Sequence, residues 1–344
     1  MIIRFPAAAL FIIATLTPVV LLICAAMWGG VWIAFAFVML TLVTATLDEL
    51  IKYVTPPCKE SEFPAADMLC VSLAIAHFLL LGLVVHALAN SDFGLFSKTV
   101  LFMAAGFFFG QISNANAHEL IHRGGRGMHR LGRWVYISLL FGHHTSAHVL
   151  VHHRYVATRN DPSTSRLGES YYRFLPRAWM GSFTSGMHAE TERLARIGRP
   201  AYLHPYLQYI GGAIAFIALA AILGGLKAAI IYICLAGFAT SQLLLSDYIQ
   251  HYGLVRRQIN GKAEPVGPRH SWNSPHWYSS AVMLNAPRHS DHHAHPSRPF
   301  HALDLPEDGP MLPRALPAMA TLALFPRKWR KVMDPLCKAV AQQP

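Results

Sequence analysis

Residues 7–27, AAALFIIATLTPVVLLICAAM, contain no charge. They are long enough to cross a hydrocarbon core of ~30 Å, which takes about 20 residues. Similar runs follow at 31–47, 68–90, 98–117, 207–224 and 227–246. A chain with six such stretches has few folds open to it. In lipid each backbone group must be satisfied within its own segment, so the expected class is all-α, a six-span transmembrane helical bundle. Only 14% of residues are charged, against about 25% in soluble domains, and mean hydropathy is +0.33. The first run is too long for a signal-peptide core, and a second run follows at once, which favours a span.

The segments divide one membrane domain, 1–344, into four spans (1–117), a polar loop rich in His and Arg but without Lys (118–205), a hairpin of two spans around Gly224-Gly225 (206–249) and a polar tail (250–344). Within the loop, Trp134 to Gly142 is apolar but too short to cross, and suits a re-entrant or interfacial position. Lys and Arg occur in the 48–67 loop and in the tail but are absent from the 28–30 turn and from 91–97. By the positive-inside rule both termini are expected in the cytoplasm of a bacterial-type inner membrane. The net charge of +11 then belongs to cytoplasmic loops; the apolar bulk argues against nucleic acid as a partner. The five cysteines form no CxxC pair, which leaves no disulfide framework and no built-in iron–sulfur or rubredoxin site.

Twenty histidines stand against this apolar background. Nine fall in four spaced groups. His118 and His122 are spaced i, i+4. Among His148, His152 and His153, the first two are expected to share a helical face and His153 to lie about 100° round, toward a second metal. His251 ends the sixth run. His289, His292 and His293 are expected to point at one spot. Imidazole suits Zn, Cu, Fe and Ni. A catalytic zinc takes about three protein ligands and a structural one four, so nine overfill one ion and fit two. His143, His144, His270, His276, His295 and His301 are read as non-ligands. Asp247, four residues before His251, is the best carboxylate to orient a ligand; Glu119, Asp161, Glu169 and Asp291 follow it.

His118–His122, His148–His153, Asp247–Leu254 and Arg288–Ala294 resemble, in order, the HELGH, EHxxGHH, NYxEHYGL and LQRHSDHHA boxes of the integral-membrane alkane 1-monooxygenases. The stretches Asn160–Ser170 and Pro268–Ser274 also look alike. More loosely the chain is similar to xylene monooxygenase and the membrane fatty acid desaturases. The resemblance implies two non-haem irons held by the nine histidines. It also implies O2-dependent hydroxylation of a terminal C–H of an alkane or other apolar alkyl substrate, and electrons from a separate rubredoxin or ferredoxin with its reductase. There are departures: Ile121 and Val151 stand where the family has Gly, Ala147 and Gln250 where it has Glu, and Ala286-Pro287 where it has Leu-Gln. Three other readings exist. One is an acyl desaturase with the same metals. Another is a zinc intramembrane protease using His118, Glu119 and His122. The last is a metal transporter, which would string its ligands across the membrane.

Overall fold

The computed structural model describes residues 7–51 and 54–342. Apart from one antiparallel strand pair, β1 (Gln258–Ile259) and β2 (Lys262–Ala263), it is helical. Among the described residues, five helices are long and apolar enough to cross a membrane. They are α1 (Ala7–Trp28), α2 (Val31–Leu50), α3 (Ala66–Asn90), α4 (Leu95–His122) and, later in the chain, α8 (Pro205–Gln250).

The sixth expected run is inside α8. This 46-residue helix is broken at Gly224 (φ −142°, ψ 17°) and Gly225 (φ 70°, ψ −175°), and the second of these needs a residue without Cβ. Gly212 packs on Ile137, while the Tyr232 hydroxyl donates to the Ser138 carbonyl at 2.6 Å. Twenty residues of straight helix would hold those points about 30 Å apart. The chain therefore doubles back at the glycines, and α8 is two arms.

Between α4 and α8, the returning helices fill the bundle and build a cap. α5 (Arg126–Ser138) runs back beside α4, and Gly132 lets it approach Leu120 and the Ala117 carbonyl. Within the run 134–142, Val135–Leu139, Phe141 and Gly142 are buried in protein, while Trp134 at its start is exposed. The run reverses at Leu140 (φ 57°), and α6 follows as His144–Ala147, a π-helical turn His148–His152, and His153–Tyr155. α7 (Tyr171–Arg196) is a full helix inside the stretch read as loop. The tail folds as α9 (Trp277–Val282), α10 (His289–Ala294), α11 (Leu316–Ala323) and α12 (Pro326–Gln342).

Several polar side chains inside the bundle bond to main-chain groups of neighbouring turns and helices, as low-dielectric surroundings favour. α4 carries a π-helical turn at Phe108–Ser113. Around it, Asn114 Nδ2 donates to the Gly110 and Ala239 carbonyls, and Gln242 Nε2 donates to that of Gly106 at 2.8 Å. Buried Asp48, at the end of α2, accepts from the backbone N–H groups of Tyr278 and Ser279 at the start of α9. These two bonds tie the cap to the bundle.

Candidate metal centre

The structure brings the nine histidines into two groups. His118, His122, His148, His153 and His292 form one; His152, His251, His289 and His293 form the other. Within each group the ligand nitrogens all lie within 4.8 Å of one another.

Two expectations about grouping are corrected. His148 pairs with His153, and His152 belongs to the other group. The cause is the π turn at His148–His152, whose i→i+5 repeat sets residues five apart on one face and four apart off it. On α10, His289 and His293 share one group, while His292, about 100° round from His293, turns to the other. Both α6 and α10 thus serve both groups, whereas α4 supplies only the first and α8 only the second.

The nitrogens suit metal ions. His118 Nε2 lies 2.8 Å from His148 Nε2, which lies 3.0 Å from His153 Nε2, itself 3.1 Å from His292 Nε2. His289 Nε2 lies 2.9 Å from His251 Nε2 and 3.1 Å from His293 Nε2. Two imidazoles bonded at right angles to an ion at ~2.1 Å sit about 3.0 Å apart. A neutral ring carries a single N–H, so such chains of nitrogens are poorly served by protons and well served by a cation. His122 Nε2 and His152 Nε2 are buried with no hydrogen-bond partner among the described residues. Burial first, and then neighbouring imidazoles, holds His148, His153, His251, His289, His292 and His293 well below the usual histidine range. They are neutral at pH 7, the form that binds metal.

The carboxylate behind the centre is Asp161. Its Oδ2 accepts from His152 Nδ1 at 2.8 Å, and its oxygens are held by Ser163 N–H and the Thr164 hydroxyl. Burial lowers the His152 pKa, but the charge and hydrogen bond of Asp161 outweigh it and the net shift is upward. This bond fixes the tautomer that presents Nε2. Asp247 was expected behind His251; it is buried, and its Oδ2 has no hydrogen-bond partner among the described residues. The side-chain neighbour of His251 Nδ1 is the Ser271 hydroxyl, at 3.5 Å.

The other acidic candidates hold the scaffold. Glu119 takes Arg123 at 3.0 Å and the Phe300 N–H at 3.2 Å, a clamp on the tail and not the posture of a base beside a metal. Glu169 binds Arg177 through both oxygens. Asp291 binds Arg298, His295 and the Asp304 N–H. The histidines read as non-ligands lie outside both groups. His144 comes nearest, its ring 4.9 Å from that of His148; His143 meets Ser182, His270 meets Glu264, and His301 binds the Cys58 carbonyl.

Sequence reasoning missed the residues that place α10. Arg288 is buried, and its guanidinium donates to the Leu303 and Thr55 carbonyls. Asn273 and Ser290 bond each other twice, side-chain amide to hydroxyl at 2.8 Å and backbone N–H to amide oxygen at 3.0 Å. Both residues sit in stretches noted for their resemblance, yet nothing in the spacing says that they touch.

A model of the fatty acid desaturase family matches residues 96–321. An alkane 1-monooxygenase of Alcanivorax borkumensis is 33% identical over 320 residues, covering 89% of this chain and 77% of that one. A second from the same organism is 30% identical over 318 residues, covering 90% and 83%. The alkane 1-monooxygenase of Ectopseudomonas oleovorans is 38% identical over 226 residues, covering 63% and 55%. With its buried histidine clusters at the end of a membrane bundle, the chain belongs to the fatty acid desaturase family and is an alkane 1-monooxygenase-like membrane hydroxylase.

Proposed function

We propose that the chain uses two irons and O2 to hydroxylate a C–H bond, most readily a terminal one, of an alkane or similar alkyl substrate. His118, His122, His148, His153 and His292 hold one iron, and His152, His251, His289 and His293 the other. The observation that carries this reading is the division of nine converging imidazoles into five and four, with no carboxylate in either set. Monooxygenation consumes O2 and two electrons, which favours a redox metal over zinc; imidazole suits iron and copper alike, and the resemblance to the alkane 1-monooxygenases favours iron. When bound, the irons supply the activation of O2.

The protein's own part is to hold and orient. Asp161 fixes the His152 ring, Arg288 and the Asn273–Ser290 pair fix α10, and the apolar helices exclude water from the reacting carbon. The two arms of α8 make six spans in all, with the centre and both termini on the cytoplasmic side. Electrons come from a separate carrier, a rubredoxin or ferredoxin; the Arg-rich cap favours an acidic one.

The test is metal analysis with Mössbauer spectroscopy on protein purified after growth on labelled iron. About two irons per chain, with O2-dependent alcohol formation from alkane, is the expected result. Zinc without iron would overturn the reading.

A further inference from the structure

Between α3 and the two arms of α8 lies a groove-like cavity of about 340 Å³, open along one side where Leu219 and Leu223 are exposed. Phe78, Leu81, Phe216, Leu219 and Tyr232 make its walls apolar, and polar groups gather at one end, where His86 Nδ1 and Asn90 Nδ2 lie 3.1 Å apart. The direction of the cavity follows from α3. The Cys70 carbonyl accepts from Asn116 Nδ2 at 2.9 Å, which sets Cys70 level with the residues just before His118. Along α3, Phe78 is then about 12 Å from that level and Asn90 about 30 Å, the thickness of the hydrocarbon core. The polar end faces the far side of the membrane, and the apolar end faces the histidines.

The apolar end is closed. The Phe78 and Phe216 rings stack at 6.4 Å and 8°, and Tyr232 is pinned to the Ser138 carbonyl. Behind them His77 Nε2 meets the Ser138 hydroxyl at 2.7 Å. Cations mark the polar end: the Lys227 and Lys98 ammonium groups donate to the Ala89 and Ser91 carbonyls, one on either side of Asn90. A bare alkane has no use for these groups.

We propose that this cavity binds a straight alkyl chain with one anionic end. Its carboxylate meets His86, Asn90 and Lys227, and its methyl end points down α3 toward the histidine groups. Anchoring the far end selects which carbon is presented, as positioning does in general. The assignment of this ligand as a substrate rests on the hydroxylase reading; its binding does not. The site takes fatty-acid-like chains, with the Phe78–Phe216 pair as the barrier that a chain must displace to go deeper.

The test is photolabelling of the full purified chain without reductant, so that nothing turns over. The probe is a medium-chain carboxylic acid carrying a diazirine near its methyl end, beside the matching diazirine alkane. Labelling of peptides holding Phe78, Phe216 or Tyr232 is expected. The His86→Ala, Lys227→Gln double variant should capture the acid about tenfold less and the alkane equally well. Phe216→Trp should reduce capture of both, with iron content unchanged as the check on folding. Acid capture untouched by the double variant, or displacement by phospholipid as effective as by free acid, would overturn the proposal and leave a groove for bulk lipid. Either failure leaves the hydroxylase reading standing, and a lack of iron leaves the binding result standing.

Discussion

The five-histidine group and the four-histidine group share two helices and differ in their surroundings. His118, His122 and His153 of the first are only partly buried, whereas His152, His251, His289 and His293 are all buried. The second group has a carboxylate at its back, through Asp161 and His152. It takes two of its four ligands from α10, which Arg288, Asn273 and Ser290 hold in place, whereas the first group takes one of five from that helix. One group is thus made by convergence at the accessible end of α4, the other by enclosure within the cap. The difference teaches that equal ligands need not make equal sites: an ion in the enclosed group would be held by its surroundings as well as by nitrogen.

The largest test of this contrast is to remove one ligand from each group. His251→Ala should lower iron from about two to about one per chain and abolish hydroxylation, with the five-histidine ion kept. His122→Ala should do the converse. Iron analysis and product assays read both; loss of both ions from either variant would show that the groups are not separable. Next in size is Asp161→Asn, which keeps the shape and removes the charge. It should weaken the enclosed ion by about 10–100-fold in a chelator competition and leave the other ion unchanged.

Acid gives a smaller effect whose sign can be worked out. The six histidines with depressed pKa take up protons in the unfolded chain before the folded one. Metal-free protein should therefore lose stability as pH falls through about 6.5, the unfolded value. His152, with its raised pKa, acts the other way: its contribution is present below that value and fades as pH rises through its folded pKa. The six should outweigh the one, so thermal unfolding of metal-free protein from pH 7.5 to 5.5 should show a falling midpoint. Asp161→Asn should steepen the fall, because it removes the opposing term.

The smallest effect is expected at Gln250. Its Nε2 donates to the Ala286 carbonyl at 3.1 Å. Gln250→Glu restores the residue usual in the family but removes that donor, and should cost about 1–3 kcal/mol in thermal unfolding without changing iron content. Unaltered stability would show that this contact does not hold the enclosed group.

The bundle was legible because each apolar run carries its own length, and the Gly224-Gly225 break because two glycines interrupt a single run. The identities of the nine clustered histidines were legible for a similar reason: imidazole is scarce enough for its spacing to stand out. Their division was not, since it hangs on a π turn at His148–His152 that α-helical periodicity cannot anticipate. Asp161 was legible only as a lesser candidate, because it reaches His152 through the loop turn of Ser163 and Thr164, whereas helical spacing pointed first to Asp247. The departures from the family boxes also make sense only in space. Ile121 packs where Gly132 leaves room, Ala147 faces Gly186, and Gln250 bonds Ala286, itself a departure.

α4 runs from Leu95 through its π turn at Phe108–Ser113 to His122, 28 residues or about 42 Å. His118 and His122 are therefore carried by a rod whose other end lies at the opposite face of the bilayer, while the ligands of α6 and α10 ride on the cap. A membrane thinner or thicker than that rod prefers will change its tilt. Tilt swings two nitrogens of the five-histidine group against the other three. Acyl-chain length in the host membrane, which determines hydrophobic mismatch, thereby becomes a mechanical input to the metal centre.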